Sequence, residues 1–189
     1  MNIKKIKTNV KFIKKIEYHK IIKSTHLYAK ELADDMQSDR TLILAGTQTQ
    51  GVGTQGRKWY SGEEQNILAT LILHPKCTIK ELSNLTIDIA IKIKEAIEEL
   101  YGYKLTIKKP NDLMLNGKKI CGILTETHTQ GEEIKYLIIS FGFNVNEEQF
   151  SQDVEQIATS LKKESGKSFK LEEILIKILQ NIPEILRIT

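Results

Sequence analysis

Lys108-Lys-Pro-Asn-Asp-Leu-Met-Leu-Asn-Gly-Lys-Lys-Ile-Cys-Gly-Ile-Leu-Thr-Glu126 is the stretch of this 189-residue chain whose reading decides the fold. A short β-prone run over residues 104–108 precedes it, and Pro110-Asn111-Asp112 breaks that run. Asn116-Gly117 then stands between two β-prone segments. Asn-Gly is a strong hairpin signal, because both central residues of a type I′ turn take positive φ. The chain therefore returns as a strand over residues 119–126. Gln130-Gly131 marks another turn, and residues 134–145, rich in Ile and Phe, give a further strand.

Outward from this hairpin, helices alternate with groups of strands. Leu82, Leu85, Ile89, Ile93 and Ile97 recur at helical spacing, and Gly102 ends that helix. Upstream, residues 15–22 alternate loosely as a strand. Ser24 is placed to cap a helix over residues 26–33, and it could equally bind a ligand. Residues 41–45 read as a short buried strand and residues 66–73 as another. Residues 147–156 are polar and irregular or partly helical. The last helix spans residues 171–182, with Pro183 near its end. Hairpin-paired strands with inserted helices predict an α+β fold, a mixed or antiparallel sheet packed with helices. No repeat or linker divides the chain, so one domain over residues 1–189 is expected.

Composition excludes several classes. Hydrophobic residues at 40% and charged residues at 28% are those of a globular domain, and the formal net charge of +4 is too mild for a nucleic-acid footprint. Lys4, Lys5, Lys7, Lys11, Lys14 and Lys15 form the densest basic cluster, read as a solvated tail or edge strand. Cys77 and Cys121 are the two cysteines, which form neither a disulfide framework nor a Cys-x-x-Cys metal pattern. No apolar run is long enough for a membrane span, and no secretory signal is present, so a cytoplasmic location with no membrane partner is expected.

Two clusters carry chemistry. The first is Thr47-Gln-Thr-Gln-Gly-Val-Gly-Thr-Gln-Gly-Arg-Lys-Trp59, with Gly51, Gly53 and Gly56 in six residues. Such a loop can present backbone amides to an anion, with Arg57 adding a planar charge and Trp59 an aromatic face. It matches Gly-x-Gly-x-x-Gly in letters but does not open a helix, so a mobile surface loop is the plain alternative. In the second cluster, Asn111 and Asp112 sit side by side after Pro110, a pairing that suits hydroxyls or hydrated Mg²⁺ as well as simple turn chemistry. Strand alternation would put Lys119, Cys121 and Ile123 on one face. Lys119 then either snorkels from an edge or aims into a cleft, and Cys121 is a small core residue.

Together and in this order, the clusters resemble the biotin protein ligase family, specifically its catalytic domain. The family's Gly-Arg-Gly-Arg-x-Gly-Arg-x-Trp stands here as Gly51-Val-Gly-Thr-Gln-Gly-Arg-Lys-Trp59, and its Lys-Trp-Pro-Asn-Asp as Lys108-Lys-Pro-Asn-Asp112. Lys119-Ile-Cys-Gly-Ile-Leu124, Ser140-Phe-Gly-Phe-Asn-Val145, Ser24-Thr25-His26 and Ala158-Thr-Ser-Leu161 also fit, so the resemblance covers about residues 16–186. It implies a biotin/lipoate ligase catalytic-domain fold, like that of class II aminoacyl-tRNA synthetases. It also implies a ligase that uses ATP and Mg²⁺ to activate biotin as biotinyl-5′-AMP. The acyl group then passes to a lysine of a biotin carboxyl carrier protein.

By the same resemblance, Lys119 and Arg57 are catalytic. Ser24, Thr25, Gln48, Gly51, Lys119 and Gly122 hold biotin. Gly53, Gly56, Arg57, Trp59, Asn111, Asp112 and Asn144 hold the nucleotide, with Asp112 toward Mg²⁺. Val52 and Thr54 stand where the family has arginines, Lys109 replaces its Trp, and His26 replaces its Asn. The chain has no room before residue 16 for a DNA-binding winged helix, so no DNA partner is expected. A small C-terminal SH3-like β-barrel is absent or cut off, and a homodimer is left open. A lipoate–protein ligase and a non-catalytic biotin-binding paralogue are the rival readings.

Overall fold

Three central strands alternate between two packed layers, and that alternation fixes where the site can lie. The structure is a computed structural model and describes residues 1–186. In chain order come helix α1 (Ile3–Asn9), strand β1 (Lys15–Ile22), helix α2 (Thr25–Leu32) and strand β2 (Thr41–Gln48). A small flap of β3 (Gly51–Val52) and β4 (Lys58–Trp59) precedes β5 (Ile67–Leu73). Helix α3 (Leu85–Tyr101), strands β6 (Thr106–Lys108), β7 (Asp112–Leu115), β8 (Lys118–Gln130) and β9 (Glu133–Phe143), and helices α4 (Leu161–Ser165) and α5 (Leu171–Leu186) follow. Seven strands form one sheet in the order β1-β2-β5-β9-β8-β7-β6. β1 and β2 run parallel, and every other neighbouring pair is antiparallel.

Leu42, Leu44, Leu71, Leu73, Leu137 and Ile139 face one way, into a core shared with α1, α3 and α5. Ile43, Ile72 and Ile138 face the other way, against Ala29 of α2 and Ala33 at its C-cap. Both faces of the central strands are covered, which is why these strands read as continuous apolar runs. The α2 layer is short and leaves part of its side of the sheet open.

Local signals explain the element ends. Ser24 accepts a hydrogen bond from the Leu27 amide at 3.4 Å and caps α2. Asn116 and Gly117 have φ of 50° and 78°, the pair of positive values that a type I′ turn requires. β2 extends three residues beyond the expected strand because Thr47 and Gln48 pair with Ile21 and Ile22 of β1. The expected start of α3 at Leu82 falls instead in a 3-10 turn, Ile79–Leu82, and the α-helix begins at Leu85. Gly102 closes α3 with φ 75°, its N–H donating to Glu98 O at 2.8 Å. A side chain in that left-handed conformation is strained. Gly102→Ala should therefore lower unfolding free energy by about 1 kcal/mol. A reduced urea midpoint with unchanged m would report this, and an unchanged midpoint would refute it.

Two expectations are corrected here. Lys4, Lys5 and Lys7 of the basic cluster lie on a helix and not on a tail or edge strand, whereas Lys15 does open the edge strand β1: Asn2 Oδ1 accepts from the Lys5 amide at 3.0 Å, and Ile6, Val10 and Ile13 are buried. Ile6 is the buried residue of the helix, Val10 caps its end and Ile13 follows it, and Lys5 pairs with Glu173 of α5 at 3.0 Å. The final helix runs through Pro183 to Leu186, with Ile182 and Leu186 both buried. One lost backbone hydrogen bond near a helix end is outweighed by burying that apolar turn.

Candidate active site

A bulge in β8 decides where Lys119 points. Leu113 pairs with Cys121 and Met114 with Lys119, so Ile120 is an extra residue. Ile120 and Cys121 are both wholly buried in the same core. The expectation that Lys119 shares a face with Cys121 and Ile123 is therefore wrong. Lys119 lies instead on the side of Gly122, its Cε and Nζ 3.1 Å from where a Cβ on Gly122 would stand. The bulged backbone is satisfied by another segment: Lys119 N donates to Ile157 O at 2.7 Å, and Lys119 O accepts from Thr159 N at 2.9 Å.

That side of the sheet is a cleft of about 520 Å³. Of the residues expected at the site, Thr25, Gln48, Gly53, Arg57, Trp59, Asn111, Asp112, Lys119, Gly122 and Asn144 line it. Ser24, Gly51 and Gly56 do not. Ser24 is buried as the α2 cap. Gly51 is needed where the flap closes, since a Cβ there would meet Trp59 O at 2.5 Å. Gly56 forms the flap tip with φ 72°.

The floor is a pair of glycines. Gly122 and Gly142 are direct partners across β8 and β9. A Cβ on Gly142 would fall 2.3 Å from Trp59 Cε2, and one on Gly122 would fall 2.9 Å from Trp59 Cζ3. The indole thus rests on backbone. Its Nε1 is buried with no hydrogen-bond partner among the described residues. Lys119 Nζ lies 5.4 Å from the ring centroid and 2.7 Å from Asp112 Oδ1. The ion pair is close but poorly aligned for a hydrogen bond, since Asp112 Oδ1 has none. Asn111 is held on β8, its Nδ2 donating to Ile123 O at 3.0 Å and its O accepting from Ile123 N at 2.9 Å. Asn144 Nδ2 donates to Thr159 O at 3.0 Å. These amides are pre-oriented by backbone, which lowers the cost of holding a ligand.

The glycine flap is partly closed on itself. Gly53 N donates to Arg57 O at 2.7 Å, so that amide is engaged within the loop. Arg57 folds back on Thr54, donating from Nη2 to Thr54 Oγ1 at 3.1 Å and from Nε to Thr54 O at 3.3 Å.

At the other end, the cleft has a polar wall that the sequence reading missed in part. Gln48 Oε1 accepts from Thr25 N at 2.7 Å and from Thr25 Oγ1 at 3.0 Å. His26 and Ser140 line the same cleft, Thr70 lies behind it, and all three are buried. Thr70 sits in an apolar strand run and carries no motif, so only the pairing of β5 with β9 reveals it. Desolvation opposes charge on Glu126, but hydrogen bonds from Lys30 and His26 outweigh it and hold this carboxyl below the usual range. Burial pushes the Cys121 thiol well up, which removes it as a nucleophile. Among the described residues no three His, Cys, Asp or Glu side chains cluster to hold a metal. No helix there is long and apolar enough to cross a membrane.

Comparison with known proteins decides the lineage. The family described as Biotin/lipoate A/B protein ligase family matches residues 18–144. The chain belongs to this family. It is 36% identical over 164 residues to the bifunctional ligase/repressor BirA of Bacillus subtilis, covering 86% of this chain and 50% of that protein. It is 32% identical over 157 residues to the biotin–[acetyl-CoA-carboxylase] ligase of Paracoccus denitrificans, covering 80% of this chain and 65% of the relative. The structure of the Aquifex aeolicus biotin protein ligase in complex with biotin and ATP superposes with a TM-score of 0.78. That match is 31% identical and covers 93% of this chain and 71% of the other. The chain spans about half the length of the Bacillus relatives it matches. The mixed seven-stranded sheet packed with helices is thus the biotin protein ligase catalytic-domain fold.

Proposed function

We propose that this protein is a biotin–[acetyl-CoA-carboxylase] ligase that joins biotin to ATP as biotinyl-5′-AMP and then to a lysine of a biotin carboxyl carrier protein. The observation that carries the reading is the placement of the Lys119 ammonium, 2.7 Å from Asp112 at the mouth of a cleft floored by two glycines. In the first step a carboxylate oxygen of biotin bonds to the α-phosphorus of ATP, and pyrophosphate leaves with the electron pair of the broken P–O bond. Two anions must meet, and a fixed cation between them offsets their repulsion and the charge that develops. Lys119 fills that role. In the second step the carrier amine attacks the acyl carbon, AMP leaves, and the amine proton passes to solvent or AMP.

Each wall has a part. Thr25 and Gln48 offer hydrogen bonds to the ureido ring, with Ser24 holding the turn of α2 that carries Thr25. Gly122 and Gly51 let backbone and indole approach the ligand. Asn111, Asn144, Gly53, Gly56, Arg57 and Trp59 serve the nucleotide, Arg57 by swinging off Thr54. Asp112 is a single carboxylate, which suits Mg²⁺ only when phosphate oxygens supply the other ligands. The ion would offset phosphate charge. A cytoplasmic setting agrees with two free cysteines.

The test is biotin-dependent ATP–pyrophosphate exchange, followed by side-by-side labelling of a biotin carrier domain and a lipoyl domain. Exchange with biotin and labelling of the carrier is expected. Exchange with lipoate alone would turn the assignment to the rival ligase, and biotin binding without exchange would make the protein a binder.

Val52 and Thr54 carry a second expectation. Each replaces an arginine of the family pattern, and a charge-assisted hydrogen bond is worth about 1.5–3 kcal/mol. Biotinyl-5′-AMP should therefore leave this site quickly. Val52→Arg and Thr54→Arg should each slow its dissociation by on the order of tenfold. Stopped-flow release into a scavenger measures this, and unchanged release in both variants would refute it.

A further inference from the structure

Four hydrogen-bond links join a buried imidazole to the cleft, and only three hydroxyl protons are there to fill them. His26 Nδ1 lies 2.8 Å from Ser140 Oγ. Ser140 Oγ lies 2.9 Å from Thr70 Oγ1, which lies 2.8 Å from Thr25 Oγ1. Thr25 Oγ1 lies 3.0 Å from Gln48 Oε1. Gln48 Oε1 only accepts, and its orientation is fixed by the Thr25 amide proton that it takes at 2.7 Å. His26, Ser140, Thr70 and Thr25 are all buried. Within this chain of side chains the fourth proton comes from His26 Nδ1. At the other edge of the ring, Nε2 faces the carboxylate oxygen Glu126 Oε2 at 3.1 Å, which also only accepts. A neutral ring therefore donates at one edge, and only the imidazolium donates at both.

We propose that His26 is a positioning residue for the ureido ring of biotin: by giving or withholding its Nδ1 proton it sets the direction of the Ser140–Thr70–Thr25 hydroxyl chain, and so whether Thr25 and Gln48 meet the ligand as acceptors. The inference rests on the biotin reading of the cleft. With a neutral ring donating from Nε2 to Glu126, Ser140 donates to Nδ1, Thr70 to Ser140 and Thr25 to Thr70. The lone pairs of Thr25 and one acceptor site on Gln48 Oε1 then face the cleft and suit a ligand N–H. With the imidazolium every donor reverses, Thr25 donates to Gln48, and both oxygens lose acceptor capacity.

Among the described residues, the charged groups facing His26 are Glu126 on β8 and Lys30 on its own helix, while β5 and β9 present only Thr70 and Ser140. Burial, countered by Glu126, holds the ring below its ordinary pKa. The neutral, acceptor-presenting state therefore holds at neutral pH and is lost as pH falls through that value. By linkage, a bound ureido ring lowers the His26 pKa further.

The probe is biotinamide, which keeps the ureido ring but has no carboxyl group to titrate. Its Kd is measured by calorimetry from about pH 8 to about pH 5. In the wild type Kd should rise on the order of tenfold toward acid, the worth of about one hydrogen bond. His26→Asn should give a flat profile. Glu126→Gln should move the step to lower pH. Ser140→Ala should leave His26 titrating, as seen by its ring NMR signals, while Kd loses its step. In the free protein, the Thr25 amide and Gln48 side-chain amide signals should follow the His26 titration in wild type and not in Ser140→Ala. A flat wild-type profile, or a step that survives Ser140→Ala, overturns the proposal. Absence of binding by both biotin and biotinamide at about pH 8 would remove the biotin reading itself. The free-protein signals would still decide whether the hydroxyl chain follows His26.

Discussion

Replacing Lys119 with alanine is expected to lower biotin-dependent ATP–pyrophosphate exchange by on the order of a thousandfold, with the circular dichroism spectrum unchanged. The size follows from what the ammonium does. On the proposed reading it stands where a carboxylate and a phosphate must approach, and among the described residues no other cation is held so close to Asp112. The fold should survive because the bulge depends on the Lys119 backbone, whose hydrogen bonds to Ile157 and Thr159 do not involve the side chain. The lost ion pair is partly exposed and contributes roughly 1 kcal/mol or less. Lys119→Arg keeps the charge but not the compact geometry, so it should recover only part of the rate. Exchange within tenfold of wild type in Lys119→Ala would sink the electrostatic account.

Gly142→Ala is expected to weaken ATP binding by on the order of a hundredfold and to shift the emission of the single tryptophan toward the red. A methyl there would sit 2.3 Å from Trp59 Cε2, so the indole must lift off the floor. Nε1, buried and without a hydrogen-bond partner among the described residues, would then reach water. Gly142 sits in β9 without a positive φ, so alanine is acceptable to the backbone and the strain falls on the indole. Trp59→Ala separates the two effects. If the loss comes from the displaced ring, Gly142→Ala in the Trp59→Ala background should cost little more. An additive loss in the double variant would locate the damage in the sheet and refute the floor argument.

Much of this was legible in residue order. Asn116-Gly117 fixed a hairpin through the need for two positive φ values, and Gly102 fixed the end of α3 for the same backbone reason. The α1 helix was masked because lysines outnumber the apolar residues there, and its one buried residue, Ile6, joins the core that α5 also fills only in the folded chain. Lys119 was picked out by its motif, but simple alternation aimed it at the wrong face. A bulge depends on pairing between β7 and β8, which no single-strand pattern records. Thr70 was invisible for a related reason: one hydroxyl in an apolar strand carries no signal until Ser140 and Thr25 are brought beside it.

Sequence by itself determined most of the strands and turns, the α+β class and the candidate site residues, because turn φ values, side-chain period and motif chemistry are properties of neighbours along the chain. Tertiary structure alone decided that the lysine faces the cleft, that two glycines from different strands make one floor, and that a histidine reaches a glutamine through three hydroxyls. Those facts depend on strand register and on groups far apart in sequence, and register is set by packing the whole sheet between its two helical layers.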